Sequence, residues 1–147
     1  MAANLNDGLA LVHKYLTEHA TVSGLIDGGT AVYLSSPRDP SPGEVRLPAV
    51  ILSLEGGESF GASVQLVQIV IMVWCFSRSS QSEASALRHA VIEALQRQHI
   101  RSTVTLTGGA LANAARVGCD FQGGLRDVWS EPLGAWGSGS RWMFTIT

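Results

Sequence analysis

The chain has 147 residues, of which 46% are hydrophobic and only 15% charged, and its formal net charge is −2. That length suits one domain spanning residues 1–147, and the scattered Lys and Arg residues exclude a protein that grips nucleic acid by a basic face. A charge content well below the usual ~25% means either a large core or apolar surface covered by a partner.

Residues 1–7 lack a basic segment followed by an apolar one, so no secretory signal is expected. The first element is a helix. Asn6 or Asp7 is positioned to cap it, and Leu5, Leu9, Val12 and Leu16 line one face at spacings of four, three and four. It should end near His19 or Ala20, with an irregular stretch up to Gly28 and Gly29. A short strand over 31–34 precedes a segment holding Pro37, Pro40, Pro42 and Pro48. Proline removes a backbone donor and turns its predecessor away from helix, so 35–48 reads as an extended loop.

The segment AVILSL at 49–54 is the next strand, and the polar, Gly-rich 55–63 a hairpin-type connection. The strongest strand signal is VQLVQIVIMVWCF at 64–76, dense in β-branched and aromatic residues. Its second half is apolar on both faces. Such a strand cannot present one face to water, so either a second layer or a neighbouring subunit must cover it. Its longest apolar run, 69–76, has eight residues, far short of the ~20 that span a bilayer. The expectation is an intracellular, soluble chain with no membrane partner.

Ser80 and Glu83 have capping-box spacing and open a second helix, expected to run to about Arg97 with Ala84, Leu87, Val91 and Leu95 on one face. Residues 103–107 alternate like a strand, and 111–120 form a weaker strand candidate. Residues 121–137 read as a long Gly- and Trp-bearing loop, and SRWMFTIT at 140–147 as a closing strand. Gly-Gly pairs at 28–29, 56–57, 108–109 and 123–124 read as turns or loops. The order predicts an α+β fold: a mostly antiparallel sheet, two amphipathic helices on one face, and long Pro-rich and Gly/Trp-rich loops.

Cys75 lies in the apolar run and is expected to be a buried thiol. No GxSxG, Walker A, HExxH or CxxC motif occurs. His89 and Glu93 lie four apart on a helix and suit one metal, but equally a solvated helix face. Asp120, Asp127 and Glu131 form a loose acidic set whose functional reading is a metal-dependent hydrolase or ligand-binding site. Its plain reading is loop solvation with pairing to Arg126 or Arg141. The GAWGSG segment at 134–139 follows no strand and opens no helix, so it is a weak phosphate-loop signal. Its natural reading is a mobile arm carrying Trp136. The expectation is a chain without catalytic, cofactor or metal residues, whose candidate interface residues are Trp129, Trp136, Arg126 and Arg38.

The order LNDGLALVHKYL, then LPAVILSLEG, VQLVQIVIMVWCFSRS, SEASALRHAVIEAL and finally GSRWMFTIT resembles the tail-terminator, or tail-completion, proteins of long-tailed bacteriophages and related tail-like particles. The resemblance implies a virion structural subunit forming a homo-oligomeric ring, typically a hexamer. The ring would cap the tail tube protein and present a surface to the head-side connector, or stopper. DNA would pass through it without being read in sequence. Another neck or connector component is the alternative.

Overall fold

In the computed structural model, residues 5–26, 32–35, 47–60, 66–96, 117–131 and 133–146 are described. They form helices α1 (Leu5–Glu18), α2 (Ala20–Leu25) and α3 (Gln81–Gln96), and strands β1 (Val32–Ser35), β2 (Ala49–Phe60), β3 (Leu66–Ser77), β4 (Val117–Ser130) and β5 (Ala135–Ile146). The strands make one sheet in the order β1-β2-β3-β5-β4. β1 runs parallel to β2, and every other neighbouring pair is antiparallel. The fold is the α+β class expected, with a mostly antiparallel sheet. The expected 103–107 strand, the segment 111–116, the Pro-rich segment 36–46 with Arg38, and the Gly pairs at 28–29 and 108–109 lie outside the described residues.

Alternation along β3 assigns the two faces of the sheet. Ile69, Ile71, Val73 and Cys75 are fully buried, and they share a core with Val50 and Leu52 of β2, Trp142 and Phe144 of β5, and both long helices. α3 contributes Ala84, Leu87, Ala90, Val91, Ala94 and Leu95, a stripe at three- and four-residue spacing whose alanines let its backbone approach the sheet. α1 contributes Leu9, Val12, Tyr15 and Leu16. The Tyr15 hydroxyl donates to the Ala94 carbonyl oxygen at 2.5 Å, satisfying an acceptor in the last turn of α3 and tying the two helices together. At the β1 edge, His13 Nε2 lies 2.9 Å from the Val32 carbonyl oxygen. The buried hydroxyls on this side have partners too. Ser140 Oγ accepts from Trp142 Nε1 at 2.9 Å, and Ser77 Oγ accepts from the Ser79 amide at 3.2 Å.

The opposite face carries Val70, Met72, Trp74 and Phe76 of β3, with Ile51 of β2 and Met143 of β5 beside them. Phe76 and Ile51 are buried there with Ala135, whereas Val70, Met72, Trp74 and Met143 are half-buried. Trp74 and Phe76 stack at 6.2 Å and lie over Gly139 and Gly137, their cross-strand partners on β5. A Cβ at Gly139 would come within 2.8 Å of the Trp74 ring, and one at Gly137 within 2.6 Å of Phe76. These glycines are therefore the floor on which two aromatic rings rest.

Four sequence expectations are corrected. α1 begins at Leu5, so Asn6 and Asp7 sit inside its first turn rather than at its cap, and the stretch after His19 is helical again as α2. β2 continues through Gly56 and Gly57 to Phe60 instead of turning at Glu55; a register shift between Leu54 and Gly56 leaves Glu55 as the extra residue of a bulge, and the glycines pair on with Val70 and Ile69. The expected loop over 121–137 is a long β-hairpin, in which β4 runs to Ser130 and β5 starts at Ala135. Gly123 and Gly124 again sit at a register shift, here between Phe121 and Gly123. The capping reading is upheld at Ser80, whose Oγ accepts from the Glu83 amide at 3.0 Å.

Two substitutions probe the two faces. Leu87→Ala empties a side chain at the helix–sheet contact and should cost ~2–5 kcal/mol in urea-unfolding free energy. Gly139→Ala inserts a methyl group under the Trp74 ring and should cost ~1–3 kcal/mol, an unusual penalty for so small a change. A neutral result for Gly139→Ala would mean that the Trp74 ring is free to lift.

Candidate functional site

The sequence-predicted interface residues Trp129, Trp136 and Arg126 all lie on the β4–β5 hairpin. The hairpin closes through Gly134 in the left-handed region (φ 59°), whose amide donates to the Glu131 carbonyl oxygen at 3.2 Å. Just inside this turn, Trp129 pairs directly with Trp136 across the two strands. Their rings meet edge to face at 5.1 Å, the arrangement favoured by the ring quadrupoles. Both remain open to solvent, at 44% and 37% exposure, despite contacting each other. The register sets Trp136 opposite Ser77, at the end of β3 from which α3 departs. Arg126 is exposed on β4, three residues before Trp129.

Of the five exposed large hydrophobic residues among those described, Phe121, Val128, Trp129 and Trp136 belong to this hairpin, and Leu25 lies in α2. Phe121 leans on the buried Trp142 at 5.1 Å, so its outward side extends the core to the surface. Sequence reading found the tryptophans but missed Phe121 and Val128. Their signal was alternation along 117–130, hidden by Gly123 and Gly124.

Asp127 holds the hairpin in place. Its carboxylate accepts from Ser138 Oγ at 2.8 Å and from Gln81 Nε2, in the first turn of α3, at 2.7 Å. The Gln81 bond first, then the Ser138 bond and the nearby Arg88 charge, hold the Asp127 carboxyl below the ordinary carboxylate range. The link spans the register shift between Leu125 and Val128, where β4 loses regular pairing with β5. It therefore fastens the least regular part of β4 to the start of a helix.

This geometry decides the acidic set. Asp127 is engaged with Gln81 and Ser138; Asp120 pairs in register with Met143 on the opposite face, and Glu131 stands in the turn. The three carboxylates do not converge. Among the described residues no group of three His, Cys, Asp or Glu side chains is placed to hold a metal ion. His89 and Glu93 form an exposed contact at 3.3 Å on the surface of α3. The GAWGSG segment is the start of β5, a paired strand and not an arm. Cys75 and Cys119 are free thiols; burial pushes Cys75 well above the ordinary thiol value and Cys119 to about 12, so neither is a thiolate near neutral pH.

Because the folded Asp127 carboxyl titrates below its unfolded value of ~3.9, its contribution is present above that value and disappears as pH falls through the lowered one. Asp127→Asn should therefore lower the urea midpoint at pH 6 and flatten the acid limb of the stability profile below about pH 4. Since the carboxylate is largely solvated, the effect should be small. Parallel acid limbs for the two proteins would remove Asp127 from the list of stabilising groups.

No protein-family model matches the sequence, and no curated protein matches it. Among solved structures, the chain is similar to a chain in the virion of a native gene transfer agent particle, with a TM-score of 0.56 and 20% sequence identity. The likeness covers 93% of this chain and 92% of that chain. At such identity what the two chains share is the fold, followed nearly from end to end.

Proposed function

We propose that the chain is a non-catalytic structural subunit of a phage-like virion, acting as a tail terminator. Copies associate into a ring, a hexamer in this reading, which caps the finished tail tube and presents a surface to the head-side connector. The observation that carries the proposal is the likeness to a chain of a gene transfer agent virion over 93% of this chain. The order of elements that resembles tail-terminator proteins narrows the particle component to this one.

The surface chemistry fits such a role. A hairpin with exposed Trp129, Trp136 and Val128 offers aromatic anchors of the kind that dominate protein contacts, and Arg126 beside them supplies a charge at the rim. Arg38 is retained as a further contact residue in this proposal. A ring needs a heterologous contact, in which one patch meets a different patch on the next copy and rotation closes the circle. DNA passes through the opening by clearance, consistent with a chain of net charge −2.

Light scattering on purified protein, alone and mixed with tail-tube subunits, tests the reading together with negative-stain images. Rings on tube ends are expected. A chain that stays monomeric beside tube subunits overturns the proposal, and rings that bind only the connector favour a neck component instead. In the same assay Trp136→Ala should weaken assembly by roughly 30-fold, equivalent to ~2 kcal/mol, while the melting temperature stays nearly unchanged. A large drop in melting temperature would instead make Trp136 part of the fold's own support.

A further inference from the structure

On the helix side of the sheet, β4 extends beyond the cover that α3 provides. Trp136, Ser138, Ser140 and Trp142 of β5 lie opposite Ser77, Cys75, Val73 and Ile71 of β3, which places them on the side of α1 and α3. Directly opposed residues share a face, so Phe121, opposite Trp142, and Trp129, opposite Trp136, lie on this side too. α3 meets this region along one stripe: Gln81 bonds to Asp127, Arg88 to the Gly139 carbonyl oxygen, and Ile92 packs half-buried against the core. Spacings of seven and four keep the three on one side of the helix. Beside that stripe Phe121, Trp129 and Trp136 stay exposed.

Arg88 is the cation of this patch. A Cβ added at Gly124 would come within 3.4 Å of Arg88 Nη1, so the guanidinium lies over a position between Phe121 and Trp129 where β4 has no side chain. Among the described residues it makes one hydrogen bond, a long one of 3.5 Å to the Gly139 carbonyl oxygen, out of five N–H donors. Asp127 is the anion. Each of its oxygens accepts one bond, from Ser138 and from Gln81, and each has capacity for another. Arg88 and Asp127 share the patch, yet the two do not form an ion pair with each other.

Such a patch is complementary to itself. In a twofold contact residue i meets j and j meets i, so each guanidinium gains a carboxylate and each carboxylate a guanidinium. Arg and carboxylate make the strongest of the ordinary side-chain hydrogen bonds, and Trp and Arg are the residues that dominate binding energy at interfaces. The segments 78–88 and 121–137 bring Arg78, Glu83, Arg88, Arg126, Asp127 and Glu131 to this end, three of each sign, so a like surface meets no excess charge. A partner of one sign would set its charge against either Arg88 or Asp127.

We infer that this patch binds the same patch of a second copy of the chain, with Arg88 of each copy paired to Asp127 of the other between the exposed aromatic rings. The inference rests on the reading of the Trp129–Trp136 hairpin as a contact surface and adds the residues that answer each other across it. It goes beyond the ring, because a reciprocal contact is complete at two copies whereas the contact of a ring repeats by rotation.

A charge swap tests it, read as mass by light scattering on the full chain without tube subunits, with circular dichroism to verify folding. The wild type is expected at twice the 15.6 kDa monomer mass. Arg88→Asp and Asp127→Arg should each fall to monomer, with at least a tenfold loss of association. An equimolar mixture of the two should regain the wild-type mass, since every contact in a mixed pair is again between opposite charges. Should Asp127→Arg fail to fold for want of its Gln81 and Ser138 bonds, Arg88→Asp alone decides. A folded Arg88→Asp that keeps the wild-type mass, a mixture of folded variants that stays monomeric, or a monomeric wild type overturns the inference. Rings of wild type on tube ends beside any of those results leave the ring reading standing. A swap that behaves as expected, from a wild type that forms no rings with tube subunits, upholds the contact and removes the ring.

Discussion

The structure depends on a central strand that is apolar on both sides. β3 pairs with β2 and β5, so its backbone donors and acceptors are satisfied, and its side chains must then be covered above and below. The two faces meet that demand differently. On one, Ile69, Ile71, Val73 and Cys75 lie beneath α1 and α3 at full burial. On the other, Trp74 and Phe76 lie flat over glycines of β5, and Val70 and Met72 are left half-covered. Covering a large apolar side chain contributes ~1.5–3 kcal/mol, so the helix face carries the fold's stability.

The choice of glycine at 137 and 139 follows from that arrangement. An aromatic ring standing upright on β3 would present its edge to water; lying sideways over a residue without Cβ, it buries much of one face within the same chain. Gly137 and Gly139 are both buried in consequence. The same glycines weaken β5 as an isolated strand, because they are the costliest residues to order and bring no side-chain contact of their own. Pairing on both sides of β5 offsets this, with β3 along one edge and β4 along the other.

This explains which parts of the fold were legible in the sequence. α1, β3 and α3 could be read directly, because apolar spacing, β-branched density and the Ser80 cap each report a local preference that tertiary packing then reinforces. The hairpin was not, since glycine density normally signals a loop. At 56–57 and 123–124 the glycines follow the bulges at Glu55 and Gln122 as paired strand residues, and at 137 and 139 they lie under rings of β3, a strand far earlier in the chain. Nothing local distinguishes those uses from a turn. The candidate interface was legible in part: Trp129 and Trp136 stood out by residue type, but their direct pairing required knowing that 121–130 and 135–146 are strands. Asp127 was noticed for its charge and misplaced in role, because Gln81 and Ser138 become its neighbours only after α3 and the hairpin have docked.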